Sequence, residues 1–392
     1  MTVLLCKKKA NCRLVNSIPK EVTILDEANL TFLPKSIKNP VEVENERIAH
    51  IKDGVALTKF ICWLKKNVGK ITMTELSAGE KLYSFRAQQE NFIDNSFDPI
   101  ISYGIHAAIN HYSATPETDI AIEPGNFLLA DTGGHYYEGT TDTTRTIVMG
   151  SVNDEQKKYF TAVLRGILNL GNAKFRYGCT GVNLDYLARG PLWEMGQDFN
   201  HGTGHGVGYL LNVHEGPNSF RWRIIQGDNA VLEEGMITSD EPGYYVENQY
   251  GIRHENLLVC KKAEKTSFGQ FMCFEHLTMV PFDLDAIVPE LMTVQERALL
   301  NNYHAQVYKK ISPYLEEEEK EWLKRSYTRN LKAKSFKTVN RGMYKTDMHR
   351  PCFIFYRKKA VPAGRRINDN NYFMLYRKRW QIFDASQSKK AK

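Results

Sequence analysis

The stretch His201 to Gly216 reads HGTGHGVGYLLNVHEG, three histidines and five glycines in sixteen residues. Gly202, Gly204, Gly206 and Gly208 would each cost an α-helix about 1 kcal/mol relative to alanine, so this segment is not helical. The zinc helix built on His-Glu-x-x-His is therefore excluded, because His201 and His205 enclose Gly-Thr-Gly. A dinucleotide-binding loop is excluded by spacing, since Val207 and Tyr209 stand where its third glycine would fall. In extended chain the side chains alternate, which sets His201 and His205 on one face. Glycines between them let another part of the chain approach closely. Taken alone, the stretch also fits a glycine-rich loop with incidental histidines, and partners elsewhere must decide.

Two acidic pairs offer themselves. Residues 127–150, FLLADTGGHYYEGTTDTTRTIVMG, read as an apolar strand into Asp131, a turn at Gly133 and Gly134, and a β-branched strand resuming around Asp142. Residues 238–259, TSDEPGYYVENQYGIRHENLLV, repeat the plan with Glu241 and Glu255 either side of a reversal. A single acidic pair near a turn is ordinary surface chemistry. Two pairs together with a glycine-supported histidine weigh more towards a metal site than either pair alone.

Around these blocks the pattern is helical. Asn39 fits an N-cap with Pro40 at the first helical position. Ile48, Ile51, Val55, Leu57, Ile61 and Leu64 then keep three-to-four spacing. A second amphipathic helix follows Asn153, with Phe160, Val163, Leu164, Ile167 and Leu168 on one stripe. The net charge of +7 suggests nucleic acid until it is divided along the chain. Residues 331–392 hold 17 Lys and Arg against 3 Asp, which leaves 35 basic and 42 acidic groups in the first 330. The body is acidic and only the C-terminal segment is basic. Aromatics interleave with its charges, so nucleic-acid binding is an expectation for that segment alone, weaker than a plain appended tail. Apolar runs fall short of a membrane span. The seven scattered cysteines, with no Cys-x-x-Cys, point to free thiols in a cytoplasmic protein.

The series His111-Tyr112, Asp131, GTTDTTRT, HGTGHGVGYLLNVHEGP, DEPGYY and GIRHEN resembles the Xaa-Pro aminopeptidases, or aminopeptidase P, metallopeptidases of pita-bread fold. The resemblance runs over residues 36–330. It implies an α+β fold, with a curved antiparallel sheet covered by helices around a dinuclear metal site. Carried over residue by residue, it makes Asp131, Asp142, His205, Glu241 and Glu255 the metal ligands. It also places His111, His201, His214 and Arg253 in the active site, with Glu241 doubling as proton shuttle. The substrates implied are peptides with proline at the second position, cut after the N-terminal residue by a hydroxide bridging two divalent metals. His201 and His214 would stabilise the oxyanion or bind the carbonyl after proline, and His111 would line the proline side. Larger cytosolic relatives carry two creatinase-like domains ahead of the catalytic one. Residues 1–35 are then at most the end of the second, and the homodimer of such relatives is weakened here.

The physical chemistry agrees with this reading. Four crowded carboxylates hold protons at neutral pH unless cations neutralise them. Two divalent ions do so, and they acidify bound water. An oxygen-rich set with one imidazole favours Mn²⁺, with Zn²⁺, Co²⁺ and Fe²⁺ as alternatives. Two rivals stay open: a prolidase with the same ligands, and a non-catalytic peptide- or protein-binding module of the same fold. Two departures from the family pattern lie outside the ligand set: Glu138 before GTTD, where relatives have Asp, and His254 before the last ligand, where they have an aliphatic residue.

Overall fold

Asn39 caps the longest helix by accepting from the N–H groups of Val41 and Glu42, while the Glu42 carboxylate accepts from Asn39 N–H. With Pro40 in its first turn, that helix is the expected one. The computed structural model describes residues 1–225, 227 and 229–328. The basic segment 331–392 and its expected nucleic-acid contact lie outside the described residues.

The chain opens with β1 (Thr2–Leu4), α1 (Cys12–Ser17), β2 (Thr23–Leu25) and α2 (Phe32–Ser36), and β1 pairs with β2 in parallel. Next come α3 (Pro40–Asn67), α4 (Glu75–Arg86), β3 (Phe92–Asn95) and β4 (Ile100–Tyr103). The first acidic block folds as β5 (Asn126–Thr132), β6 (Gly134–Tyr136), β7 (Gly139–Thr140) and β8 (Thr143–Met149). It is followed by α5 (Asp154–Gly171), β9 (Lys174–Arg176) and α6 (Tyr186–Trp193). The glycine-rich stretch supplies β10 (Gly204–His205), paired with β11 (Ser219–Phe220). The second acidic block is β12 (Ile237–Asp240), β13 (Gly243–Val246), β14 (Tyr250–Arg253) and β15 (Asn256–Thr266). β16 (Gly269–His276), α7 (Val294–Ile311) and α8 (Glu317–Thr328) complete the described chain.

Both acidic blocks share one plan, a long antiparallel pair interrupted by a small hairpin. β5 pairs with β8 around β6–β7, and β12 pairs with β15 around β13–β14. The sheet β4-β5-β8 meets the second acidic block where Glu255 N–H, just ahead of β15, donates to Thr144 O at 3.0 Å and Arg253 N–H of β14 to Thr146 Oγ1 at 3.0 Å. This seam makes one curved, antiparallel surface from the two blocks.

Helices cover its outer side. α5 buries Phe160, Val163, Leu164, Ile167 and Leu168, the five stripe residues. Each is worth about 1.5–3 kcal/mol of transfer free energy. On α3 the stripe holds from Val55 to Leu64, but Ile48 is exposed, because the N-terminal turns of α3 bury Glu46, Ala49 and His50 instead. The turn expected at Gly133 and Gly134 lies further on, at Tyr137 and Glu138 between β6 and β7. Gly133 serves close approach: a Cβ there would stand 2.0 Å from Thr141 O.

Candidate metal and catalytic site

The glycine-rich stretch owes its composition to contact. A Cβ on Gly204 would stand 1.8 Å from Ser239 O, and one on Gly206 2.0 Å from Glu215 O. A Cβ on Gly208 would meet Asn212 O at 2.6 Å. None of these glycines has positive φ. They let β10 lie against β12, where His205 N–H donates to Ser239 Oγ at 2.9 Å and Glu241 N–H to Thr203 O at 2.8 Å. In this way the sequence sets an imidazole beside a carboxylate from a strand more than thirty residues away.

Strand register gathers the acids. Asp131 pairs with Thr144, so alternation puts Asp131, Asp142 and Thr144 on one face of β5 and β8. Asp240 pairs with Asn256, which brings the adjacent Glu241 and Glu255 level with each other. The result is two overlapping triads of donor atoms, Asp131–Asp142–Glu255 and His205–Glu241–Glu255, each with its atoms within 4.8 Å of one another. Glu255 belongs to both.

The donor chemistry fits divalent cations. His205 Nδ1 lies 3.0 Å from Gly206 O, a carbonyl that can only accept, so Nδ1 carries the proton. Nε2 then faces Asp142 Oδ2 and Glu241 Oε1, each at 3.5 Å. Two ligands of one ion, each about 2.1 Å from it, stand roughly 3 to 3.5 Å apart. Burial raises the Asp131 carboxyl, opposed by Arg253. Burial also lifts Glu241 to about 7, and it raises Glu255 well above the carboxylate range, with Asp142 and Glu241 adding to the effect. Burial would lower His205, but its hydrogen bond to Asp142 and the charge of Glu241 more than offset this and bring it to about 9. Without cations the cluster thus holds protons where cations would sit.

The remaining expected residues surround the cluster. His214 is exposed, and its ring stands edge-on to His205 with centroids 4.2 Å apart. One of its nitrogens falls within the 4.8 Å grouping of Asp142 and His205. Arg253 Nη2 donates to Asp131 Oδ2 at 2.6 Å and Nη1 to Tyr245 Oη at 2.8 Å. Arginine cannot accept, so the Tyr245 hydroxyl proton is free to be donated to His201 Nε2 at 2.9 Å. His201 Nδ1–H in turn donates to Gly202 O at 2.8 Å, and burial, with Arg253 nearby, holds this imidazole neutral, down at about 3. His111 is exposed on the loop after β4, and its charge bears on both His201 and His214. That loop is tied to the cluster through Asn110 O, which accepts from Arg253 Nη2 at 3.3 Å.

Sequence reasoning missed several supporting residues. Tyr245, the last residue of DEPGYY, links Arg253 to His201. Thr144 Oγ1 donates to Glu255 Oε2 at 2.8 Å, and Ser239 Oγ to Glu241 Oε1 at 3.0 Å. Arg189 of α6 donates to His201 O at 2.8 Å while paired with Asp185. Membership of the same dense blocks was the only signal for Tyr245, Thr144 and Ser239, and Arg189 lies outside those blocks. Of the two departures, Glu138 pairs with Lys52 at 2.8 Å at the β6–β7 turn. His254 is fully buried edge-on against Phe160 and Phe282 and is held neutral by that burial.

Comparison with known proteins agrees with this geometry. The pattern of metallopeptidase family M24 matches residues 44–262, and that of the C-terminal region of peptidase M24 matches residues 270–330. The probable Xaa-Pro aminopeptidase P of Paracoccidioides brasiliensis is 43% identical over 298 residues, covering 74% of this chain and 48% of its own length. The probable Xaa-Pro aminopeptidase P of Arthroderma otae is 44% identical with the same coverage. The chain thus spans about half the length of the curated relatives it matches. Among solved structures, the X-prolyl aminopeptidase of Caenorhabditis elegans, described as a cytosolic enzyme with a di-nuclear active site, superposes with a TM-score of 0.73 at 35% identity. The alignment covers 79% of this chain and 50% of that one. A Xaa-Pro dipeptidase from Bacillus anthracis gives 0.55 at 29% identity, covering 67% and 68%. With the family pattern spanning more than half of its 392 residues, the chain belongs to metallopeptidase family M24.

Proposed function

We propose that the protein is a metal-dependent aminopeptidase that hydrolyses the bond between an N-terminal residue and a following proline. The observation that carries the proposal is the pair of donor triads sharing Glu255, with His214 and Arg253 against it. Asp131, Asp142, His205, Glu241 and Glu255 would hold two divalent cations, and the oxygen-rich set favours Mn²⁺. Bound there, the cations supply Lewis acidity and make water acidic enough to act as a nucleophile at neutral pH.

The chain's own residues account for the rest. Glu241 takes a proton from the attacking water and returns it to the prolyl nitrogen as the C–N bond breaks. His214, exposed beside the cluster, donates a hydrogen bond to the oxygen that gains charge. Arg253 holds Asp131 in place through Nη2, and through Tyr245 it orients His201. His111 lines the side that takes the proline ring. Proline offers no N–H and a fixed φ, so a site shaped to the ring can select it where an amide donor is useless.

The relatives named as Xaa-Pro aminopeptidases favour this activity over that of a dipeptidase. A cytoplasmic setting is part of the proposal. It is supported by six free cysteines among the described residues and by the cytosolic nematode relative. No described helix is long and apolar enough to cross a membrane. The test is hydrolysis of Ala-Pro-Ala, Ala-Pro and Ala-Ala-Ala by the purified chain with Mn²⁺. Cleavage of the first alone is expected. Cleavage of Ala-Pro alone would make it a dipeptidase, and no cleavage by metal-loaded protein would make it a binding module.

A further inference from the structure

We infer that Arg145 is a positioning residue for the carboxylate cluster, holding Glu255 and the strand behind Asp142 in ligand geometry before any cation arrives. The inference rests on the metal-centre reading above. Arg86, Arg145 and Arg189 are among the largest fully buried side chains. Arg86 is paired with Asp53 at 2.7 Å and Arg189 with Asp185 at 2.8 Å. Arg145 has no carboxylate within ion-pair distance among the described residues.

Its guanidinium is instead caged by neutral acceptors. Nη1 donates to Thr144 O at 2.8 Å and Glu255 O at 2.6 Å. Nη2 donates to Asn256 Oδ1 at 2.7 Å, Val280 O at 2.8 Å and Tyr303 Oη at 2.9 Å. Nε donates to Pro281 O at 3.2 Å, and the face of Phe282 lies 4.1 Å away. All the donors of the fork are used, which fixes its orientation.

The consequence for the cluster is geometric. Glu255 is held at three points: its N–H by Thr144 O, its carbonyl by Arg145 and its Oε2 by Thr144 Oγ1. One guanidinium nitrogen therefore clamps β8 to the start of β15, at the seam where Asp142 and Glu255 must share an ion.

Calorimetric titration of the chelator-treated protein with Mn²⁺ tests the inference, with thermal melting of the metal-free protein as companion. The wild type is expected to take two ions. Arg145→Met should bind at least one of them ten-fold or more weakly. Arg145→Lys, which keeps charge but not the fork, should fall between the two. A merely structural role would lower the melting temperature and leave ion affinity untouched, and that result overturns the inference. If Arg145→Met does not fold, Tyr303→Phe, which removes one acceptor of the cage, should weaken binding at least threefold, and unchanged binding overturns the inference equally. A wild type that takes up no Mn²⁺ overturns the metal-centre reading along with it. Two ions bound with equal affinity by wild type and variants overturn the inference alone.

Discussion

His214 lies where two roles meet, and replacing it separates them. Its nitrogen falls within 4.8 Å of the donor atoms of Asp142 and His205, close enough for a ligand, yet the residue is exposed. Partial desolvation beside the cluster and the neighbouring charge of His205 lower its pKa, so at neutral pH it is a neutral imidazole with one N–H to donate. If that N–H meets the oxygen that gains charge during attack, His214→Ala removes one preorganised donor, which costs about 2.7–4 kcal/mol. At about 1.4 kcal/mol per tenfold, kcat should fall by roughly 10²–10³. Stability should fall little, since the residue is exposed and its edge-on contact with His205 is worth about 0.5–1.5 kcal/mol. The assay pairs kcat on Ala-Pro-Ala with manganese content by elemental analysis of the same preparation. A hundredfold drop at unchanged metal content is expected. Loss of metal would make His214 a ligand, and a drop of under threefold would leave it no part in the transition state.

Asp142→Ala removes a carboxylate from the more buried triad, so the variant should fold yet lose both metal and turnover; wild-type metal content would refute the assignment. Gly204→Ala places a Cβ 1.8 Å from Ser239 O, and overpacking of this kind costs about 1–3 kcal/mol. Urea denaturation should show that loss, and a change below about 0.5 kcal/mol would mean β10 and β12 part more easily than their contact implies. For Glu275, burial would raise the carboxyl, but hydrogen bonds from Arg47 and Lys261 more than offset it and bring it to about 2 from an ordinary 4.5. A folded pKa below the unfolded one adds stability above about pH 4.5 that is lost as pH falls towards 2. Glu275→Gln should therefore flatten the acid limb of stability against pH in that window, and an unchanged limb would sink the argument.

Much of the site was legible in the chain because its chemistry is locally written. Alternating glycines ruled out a helix around His205, and each acidic pair sat in its own strand-turn-strand block, where period two decides which side chains share a face. The caps at Asn39 and Asn153 were readable for the same reason, since a capping box spans four residues. What could not be read depends on contacts between distant segments. Whether the glycines near His205 served turning or contact was decided by Ser239 and Glu215 arriving against them. Gly133 looked like a turn residue until Thr141 O was found beside it. Tyr245 became the link between Arg253 and His201 only through the β13–β14 pairing.

Arg145 shows the limit most clearly. Along the chain it is one residue of a threonine-rich strand, indistinguishable from a solvated arginine. Apart from Thr144, its cage is built by residues 110 to 158 positions away, including Glu255, Val280 and Tyr303. Spacing along a strand determines which side chains share a face, while the expected ligand set came from the family resemblance of the blocks. Which backbones meet, and which buried charge is left without a partner of its own, is determined by the register between strands. That register is the outcome of packing the whole sheet against α3 and α5, so only the tertiary structure could decide it.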